Sequence, residues 1–509
     1  MTRSNRRHGP GRHLGRHGGR DLSALAEDFG HHLPSLPSAP MAPAPTSMFG
    51  GLIPLRGHRR AGAGWAPVPA PLPVWQMTSD QTPGVWPLIA SDAMPATGAL
   101  VGIDWLSGGA FHADPIGWTL SGEAGVTNPN MSVFGSPGRG KSSLIKTFCL
   151  RMMAYGYRTL VLGDVKDEYE PMCRALGVAP HAIGPGLPAR INPLDAGPLA
   201  TGWENLTASE AQRRAAIIFS RWQMLLQGLI GSQGVVCGPS IANAIAHILR
   251  QLTGYTDGST HLREVTIPHV WHALDNPDDA MIHAARYRNR QHMLDETRSL
   301  RDALGSLVKG HLAGLFDAPT TIDVDWDAPV QSLSLARLEP LGDEAIGIGL
   351  AALNSWGRAM TDAAEPGSAP MIVVRDEAWK VMRLGVDAVK ALDGDLRLSR
   401  RDGCVQIIVA HKPSDLLTVG DAGSQAVAIA RDLIHLCSTK VLLGQDERIG
   451  EDLAGMLGLS LMAEQVVTHW ATGAPGRALW IVGQRAFKVA AVRSASEIVL
   501  TDTNEAIRR

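Results

Sequence analysis

The stretch Gly135-Ser136-Pro137-Gly138-Arg139-Gly140-Lys141-Ser142 limits what this chain can be more than any other. It satisfies the pattern G-x-x-x-x-G-K-[ST] at every fixed position. The apolar residues 131–134 before it read as a short buried strand, and residues 143–153 after it carry apolar side chains at helical spacing. A glycine loop between a strand and a helix is the setting in which this pattern makes a phosphate site. Backbone N–H groups of such a loop turn inward around a polyphosphate, and the open helix N-terminus adds positive partial charge. Gly135, Gly138 and Gly140 permit backbone angles that a Cβ forbids. In that frame residues 135–142 and Ser143 form the binding loop. Lys141 reaches the β- and γ-phosphates of a nucleotide, and Ser142 offers its hydroxyl to Mg²⁺.

A second stretch lies far downstream. The apolar run Met371-Ile372-Val373-Val374 passes through Arg375 and ends in Asp376-Glu377-Ala378-Trp379. In a phosphate-loop ATPase such a pair divides the labour: Asp376 holds Mg²⁺ directly or through water, and Glu377 orients and activates the attacking water. Alone, the run equally describes a strand edge with two solvated acids; joined to the glycine loop it points to nucleotide hydrolysis. A Glu directly after the Asp favours a motor ATPase over a kinase or a slow GTPase switch, and no guanine-reading Asn-Lys-x-Asp motif is present. Residues 158–164 form a buried run ending in Asp164, and residues 405–410 another ending in His411, the position where a sensor reads a γ-phosphate. Alternating strands and helices argue for a doubly wound parallel sheet, whose ligands bind at the carboxyl ends of the strands. That places Asp164 at the edge of the site. Lys166 and Glu168 read equally as phosphate or water contacts and as loop charges.

Composition bounds the rest. At 509 residues, 45% hydrophobic and 19% charged, the chain is globular with ample material for a core, and its length suits two or three domains. A net charge of −2 gives no global basic field for nucleic acid. The odd count of five scattered cysteines, with no C-x-x-C, fits reduced thiols in a cytosolic protein better than a disulfide framework or a zinc site. No apolar run approaches the roughly 18–20 residues that span a bilayer, and no signal-peptide core is seen. The expected location is therefore cytoplasmic, at most peripheral to the inner face of the cell membrane through a partner. Residues 1–75 carry nine arginines against three acids and are crowded with proline, a composition that cannot offset its ordering entropy. They read as a tether to nucleic acid, anionic lipid or a partner, or as a solvated tail. Residues 76–125 read as a small β-unit. Residues 205–312 lack strand signals and read as an all-helical insertion, with helices at 208–229, 240–252, 268–274 and 278–308. Its arginines at 286, 288, 290, 298 and 301 suit a basic face or ordinary pairing with nearby acids. The sheet is expected to resume near 321–324 and 330–335, and residues 477–482 and 486–492 read as a hairpin.

The order of these motifs resembles the conjugative-transfer and type IV secretion motor ATPases (VirB-four/TraC type) of the HerA–FtsK branch of RecA-like ATPases. The resemblance rests on Asn128-Pro129-Asn130, the loop through Ser142, Asp164 to Tyr169, Asn192-Pro193-Leu194, Gly314-Leu315-Phe316-Asp317, Asp376 to Trp379, and Arg400-Arg401-Asp402-Gly403 with the strand to His411. It covers the chain from about residue 98 onward. Three features depart from it: His411 stands where the family usually has Gln, Arg375 where it has an apolar residue, and the large N-terminal domain of many relatives is reduced or missing. The resemblance implies an α/β, RecA-like phosphate-loop NTPase over 126–204 and 313–509 with a mostly parallel sheet. It implies ATP and Mg²⁺ as cofactors, a homo-oligomeric ring, hexameric in the family, and membrane-embedded secretion components as partners, with DNA a further candidate. It also implies an arginine supplied to the neighbouring subunit's γ-phosphate, for which Arg400 and Arg401 are the first candidates and Arg448 and Arg477 the reserve. The function implied is a motor that powers transfer of DNA or protein substrates. A translocase or coupling ATPase acting directly on DNA, and a nucleotide-dependent scaffold with little hydrolysis, are the alternatives.

Overall fold

The computed structural model describes residues 94–502, apart from 311, 323, 364–367, 384 and 418–423. The basic tail expected over 1–75, and the start of the unit expected over 76–125, lie outside the described residues.

Among the described residues eleven strands form one sheet in the spatial order β2-β1-β11-β10-β9-β3-β8-β7-β4-β6-β5. They are β1 (Ala99–Asp104), β2 (Ala110–Ala113), β3 (Met131–Phe134), β4 (Arg158–Asp164), β5 (His181–Ala182), β6 (Val330–Ser334), β7 (Met371–Arg375), β8 (Cys404–Ala410), β9 (Thr439–Leu443), β10 (Arg477–Val482) and β11 (Arg485–Ala491). The run from β9 to β5 is parallel throughout. β3, β7 and β8 are buried at every residue, as parallel strands covered on both faces must be, and their sequences are near-continuous apolar runs for that reason. β10, β11, β1 and β2 extend the sheet as antiparallel neighbours. The two strands read as a small unit ahead of the nucleotide domain thus share its sheet through β11. No disulfide joins the cysteines.

Alternate residues of each strand feed different cores. Val133, Val161, Val374 and Val409 pack with Leu144, Ile145, Phe148 and Met152 of the helix Lys141–Met153 on one face. Leu160, Leu162 and Val373 point the other way, into a core shared with Ile218, Trp222 and Leu226 of the helix Ala208–Ser232 and with Leu350 and Leu353 of the helix Asp343–Ala363. Phe134, Ile408 and Leu442 continue that second face against the helices Val386–Leu398 and Gln425–His435. The helices between 208 and 309 therefore bury their apolar stripes against the sheet's own core.

Two expectations change. Residues 278–308 form three helices, Asp279–Ala284, Arg290–Glu296 and Arg298–Lys309. Arg286 adopts φ 62°, and the side chain of Asn289 accepts from the backbone N–H of His292, so the chain restarts a helix there rather than continuing one; Asp278 caps the first helix by accepting from Met281 N. Thr321, Ile322 and Val324 form no strand. Thr320 and Thr321 instead hold the 190–192 segment, their hydroxyls accepting from Asn192 N and Arg190 N, and the sheet resumes only at Val330.

Five parallel strands place the candidate site residues at their carboxyl ends. The glycine loop leaves β3, Asp164 ends β4, Asp376 follows β7, His411 follows β8, and Gly444-Gln445 follow β9.

Candidate nucleotide site

Gly140 caps the Lys141–Met153 helix with φ 92°, and Gly138 sits at φ 76°. Both angles lie in the left-handed region that a side chain disfavours. The loop is braced from below: Gly135 N donates to His411 O and Ser136 N to Gly444 O, each at 3.2 Å. Gln445 joins the two braces, accepting from Ser136 Oγ and donating to the His411 carbonyl, both at 2.8 Å. The outer side rests on the 471–476 turn. There Arg139 Nη1 donates to Thr472 O at 2.7 Å, and Gly476 N donates to Arg139 O at 3.0 Å.

A cleft of about 410 Å³ opens over this loop. Pro137, Gly138, Gly140, Lys141, Ser142 and Ser143 line it from the loop side, and Lys166, Glu168, Asp376, Glu377 and His411 from the strand ends. Its far end is apolar, with Leu100, Val101, Ala491 and Ile498 beside Arg493 and Asp502. Gly135, Ser136 and Arg139 do not line it: the first two lie beneath the loop, and the Arg139 guanidinium turns to the 471–476 segment. Ser143 lines the cleft but spends its hydroxyl on Thr501 O at 2.9 Å, which ties the end of the helix Ala495–Thr501 to the loop helix.

At the centre, Lys141 Nζ lies 2.6 Å from Gly135 O and 3.1 Å from His411 Nδ1. His411 Nε2 is 3.5 Å from Glu377 Oε1. The same Glu377 oxygen pairs with Lys166 Nζ at 3.0 Å, while Oε2 accepts from Trp379 Nε1 at 2.6 Å. Glu377 also holds φ 50°, a left-handed angle uncommon for a side-chain-bearing residue and of the kind that collects at functional sites. Burial alone would raise its carboxyl; the hydrogen bonds from His411, Lys166 and Trp379 outweigh this and hold it well below the usual carboxylate range. Its neighbour goes the other way. Burial, then the charges of Glu377, Glu168 and Asp164, push Asp376 up to about 7. Adjacent carboxylates with opposed environments are a sign of divided acid–base roles. Burial also lowers Lys141, against the pull of Asp376 and Glu377.

The donors present fit a nucleotide with a hard cation. Ser142 and Asp376 bring oxygen donors to one cleft, the ligand type Mg²⁺ takes. Glu168 Oε2, at the same wall, is buried with no protein partner, an acceptor suited to a hydrated cation. Asp164 serves the frame instead. Its carboxylate accepts the backbone N–H groups of Lys166, Glu168 and Tyr169, and so shapes the turn that presents Lys166.

Arg400 and Arg401 are exposed and outside the cleft of their own chain. Arg400 reaches Thr127 O at 3.5 Å, and Arg401 Nε binds Asp402 Oδ1 at 2.7 Å. Arg448 is exposed near the start of the helix Glu447–Leu457. Arg477 lies over the paired rings of Trp105 and Trp470, 5.4 and 5.2 Å from their centroids. Sequence reasoning missed Gln445 and the Trp379 bond to Glu377. Trp379 stood in view in the Asp-Glu-Ala-Trp run; Gln445 needed the sheet order, which sets β9 beside β3.

The glycine loop, the β9-β3-β8-β7-β4 order and the carboxylate pair after β7 define a RecA-like phosphate-loop NTPase fold, the class expected from the sequence. No protein-family model matches the chain, and no curated protein is similar to it in sequence. Among solved structures it is similar to VirB4 of Thermoanaerobacter pseudethanolicus, with a TM-score of 0.60 at 19% identity, over 80% of this chain and 100% of that one. It is also matched by the bacterial conjugative coupling protein TrwB, in an unbound form and in complex with the ATP analogue ADPNP, at TM-scores of 0.46 and 0.47 and 14% identity, over 73% of this chain and 87% and 89% of those. Among the described residues no helix is long and apolar enough to cross a membrane.

Proposed function

We propose that this chain hydrolyses ATP as the motor of a type IV secretion or conjugation system, working as a homo-oligomeric ring on the inner side of membrane-embedded components. The observation that carries the reading is Glu377, held ionised and aimed by three neighbours in the same cleft as the phosphate loop. The order of motifs from Asn128 to His411 and the likeness of the fold to VirB4 support the assignment to secretion.

In this mechanism the inward N–H groups of residues 138–142 and Lys141 bind the β- and γ-phosphates. Ser142 and Asp376 would hold Mg²⁺, which when bound would offset phosphate charge. Glu377 takes the proton of the water whose oxygen attacks the γ-phosphorus, as the bond to the β–γ bridging oxygen breaks. Lys166, Trp379 and His411 fix the direction of that carboxylate. Arg400 or Arg401 reaches the γ-phosphate of the neighbouring subunit, where an arginine stabilises the charge of the transition state.

The test is phosphate release by purified protein with Mg²⁺ and ATP, across protein concentrations, with and without DNA. Turnover per chain that rises with concentration and is lost in Lys141→Ala supports the ring motor. Turnover that needs DNA shifts the reading to a translocase. ATP binding without turnover under every condition overturns it in favour of a scaffold.

A further inference from the structure

Arg375, the residue before the carboxylate pair, lies on the sheet face away from the loop helix, 5% exposed in its side chain. All three of its nitrogens are engaged. Nε donates to Gln406 Oε1 at 3.0 Å, Nη1 to Asn354 Oδ1, and Nη2 to Asp395 Oδ2 at 2.7 Å. Asp395 also faces Arg358 Nη1 at 3.5 Å, and that guanidinium reaches Asp402 Oδ2 at 3.3 Å. Asp402 is 8% exposed and closes the chain by accepting from Arg401 Nε at 2.7 Å. Arg358 is further held by Asp362 at 2.9 Å. Asn354, Arg358 and Asp362 stand four residues apart, so the helix Asp343–Ala363 presents them on one face.

Three guanidiniums and two carboxylates thus run without a break from the strand that ends in Asp376-Glu377 to the turn that carries Arg400 and Arg401, with Asp362 as a side branch on Arg358. A buried ionic group is a poor stability device, since desolvation offsets most of its attraction. Apolar residues at 375 and 395 together would pack with less cost. What the network supplies is geometry: each member has one arrangement that satisfies its neighbours, and a shift at either end disturbs the next pair.

We propose that Arg375, Asp395, Arg358 and Asp402 are positioning residues that tie the carboxylate end of β7 to the arginine turn, so that the state of one subunit's site sets the arginine it offers to the next. The proposal rests on the reading of the cleft as an ATP-hydrolysing site in a ring. None of its members lines the cleft, so cutting it spares binding and alters turnover.

The test uses the full chain. Arg375→Met with Asp395→Leu removes one link as a balanced pair and leaves no lone buried charge; Asp402→Asn cuts the other end, and Asp402→Glu keeps its charge. Thermal unfolding and binding of a fluorescent ATP analogue are measured first, then kcat and KM at ring-forming concentration. The relay predicts binding within about 2-fold of wild type and kcat lowered about 10-fold in the paired variant and in Asp402→Asn, with Asp402→Glu partly restored. It further predicts that either cut adds no loss to Arg400→Ala/Arg401→Ala, because a misplaced arginine and a missing one fail at the same step. Losses that multiply independently overturn the relay, as does unchanged kcat in both cut variants. If wild type binds ATP but never turns it over, the ATPase reading itself falls; if wild type turns over and the cut variants match it, only the relay falls.

Discussion

In the cleft, Lys141, Lys166, Asp376, Glu377 and His411 arrive from four different strand ends, and the central contacts lie within 3.5 Å. At the arginine turn the charges are as many but are strung in a line, and the terminal guanidinium of Arg401 is 64% exposed. The first arrangement is complete within one chain; the second ends at the surface. A site with opposed charges and a partly desolvated lysine suits a substrate that brings phosphate and metal. A line of buried ion pairs ending in an exposed arginine suits a contact made by another molecule. The cleft's contacts can thus be read within a single chain, whereas the role proposed for the exposed arginines is one that only a neighbouring subunit in the proposed ring would reveal.

That comparison can be broken at either side. The largest effect is expected at the open end: replacing Arg400 and Arg401 together by Ala lowers turnover by roughly 10³-fold while nucleotide affinity stays near wild type, read by phosphate release and analogue binding. If the arginines act in trans, mixing this variant with an excess of Glu377→Gln chains restores part of the turnover. An intact Glu377 site then meets an intact neighbouring arginine. Next comes His411, which bridges Lys141 and Glu377. His411→Ala is expected to lower kcat about 10-fold or more, and His411→Gln to keep most of it, since an amide can span the same two groups. A drop as large in His411→Gln would show that the imidazole itself takes part.

The smallest effect concerns stability. An unfolded aspartate loses its proton near 3.8, whereas Asp376 keeps it up to about 7. Between those values the native chain holds the extra proton, so raising the pH across that window lowers stability. Thermal unfolding in chelator is expected to shift down from pH 5 to pH 8 by more in wild type than in Asp376→Asn, which has no such proton to lose. Equal shifts would mean that Asp376 titrates as an ordinary surface acid.

The loop, the carboxylate pair and the parallel sheet were legible because each is local: a short pattern whose flanks already show strand and helix periodicity. The position of His411 after β8 was legible for the same reason. What stayed hidden depended on pairing across distance. Lys166 could be a phosphate contact or a loop charge until β4 and β7 were neighbours, which brings it to Glu377. Arg375 looked like an intrusion in an apolar strand until two helices, Asp343–Ala363 and Val386–Leu398, supplied Asn354 and Asp395. The segment 278–308 kept helical spacing throughout, and the left-handed Arg286 with the capping side chain of Asn289 marks where its first helix breaks.

Glu377 is where the sharpest test falls. The measurement is steady-state ATP hydrolysis with Mg²⁺ by wild type, Glu377→Gln and Lys141→Ala, each with its ATP affinity determined on the same preparation. The predicted result is turnover in wild type, a loss of about 10²- to 10⁴-fold in Glu377→Gln with affinity kept, and loss of both in Lys141→Ala. Glu377→Gln turning over like wild type would contradict it, because the carboxylate that three neighbours hold in place would then have no part in activating water.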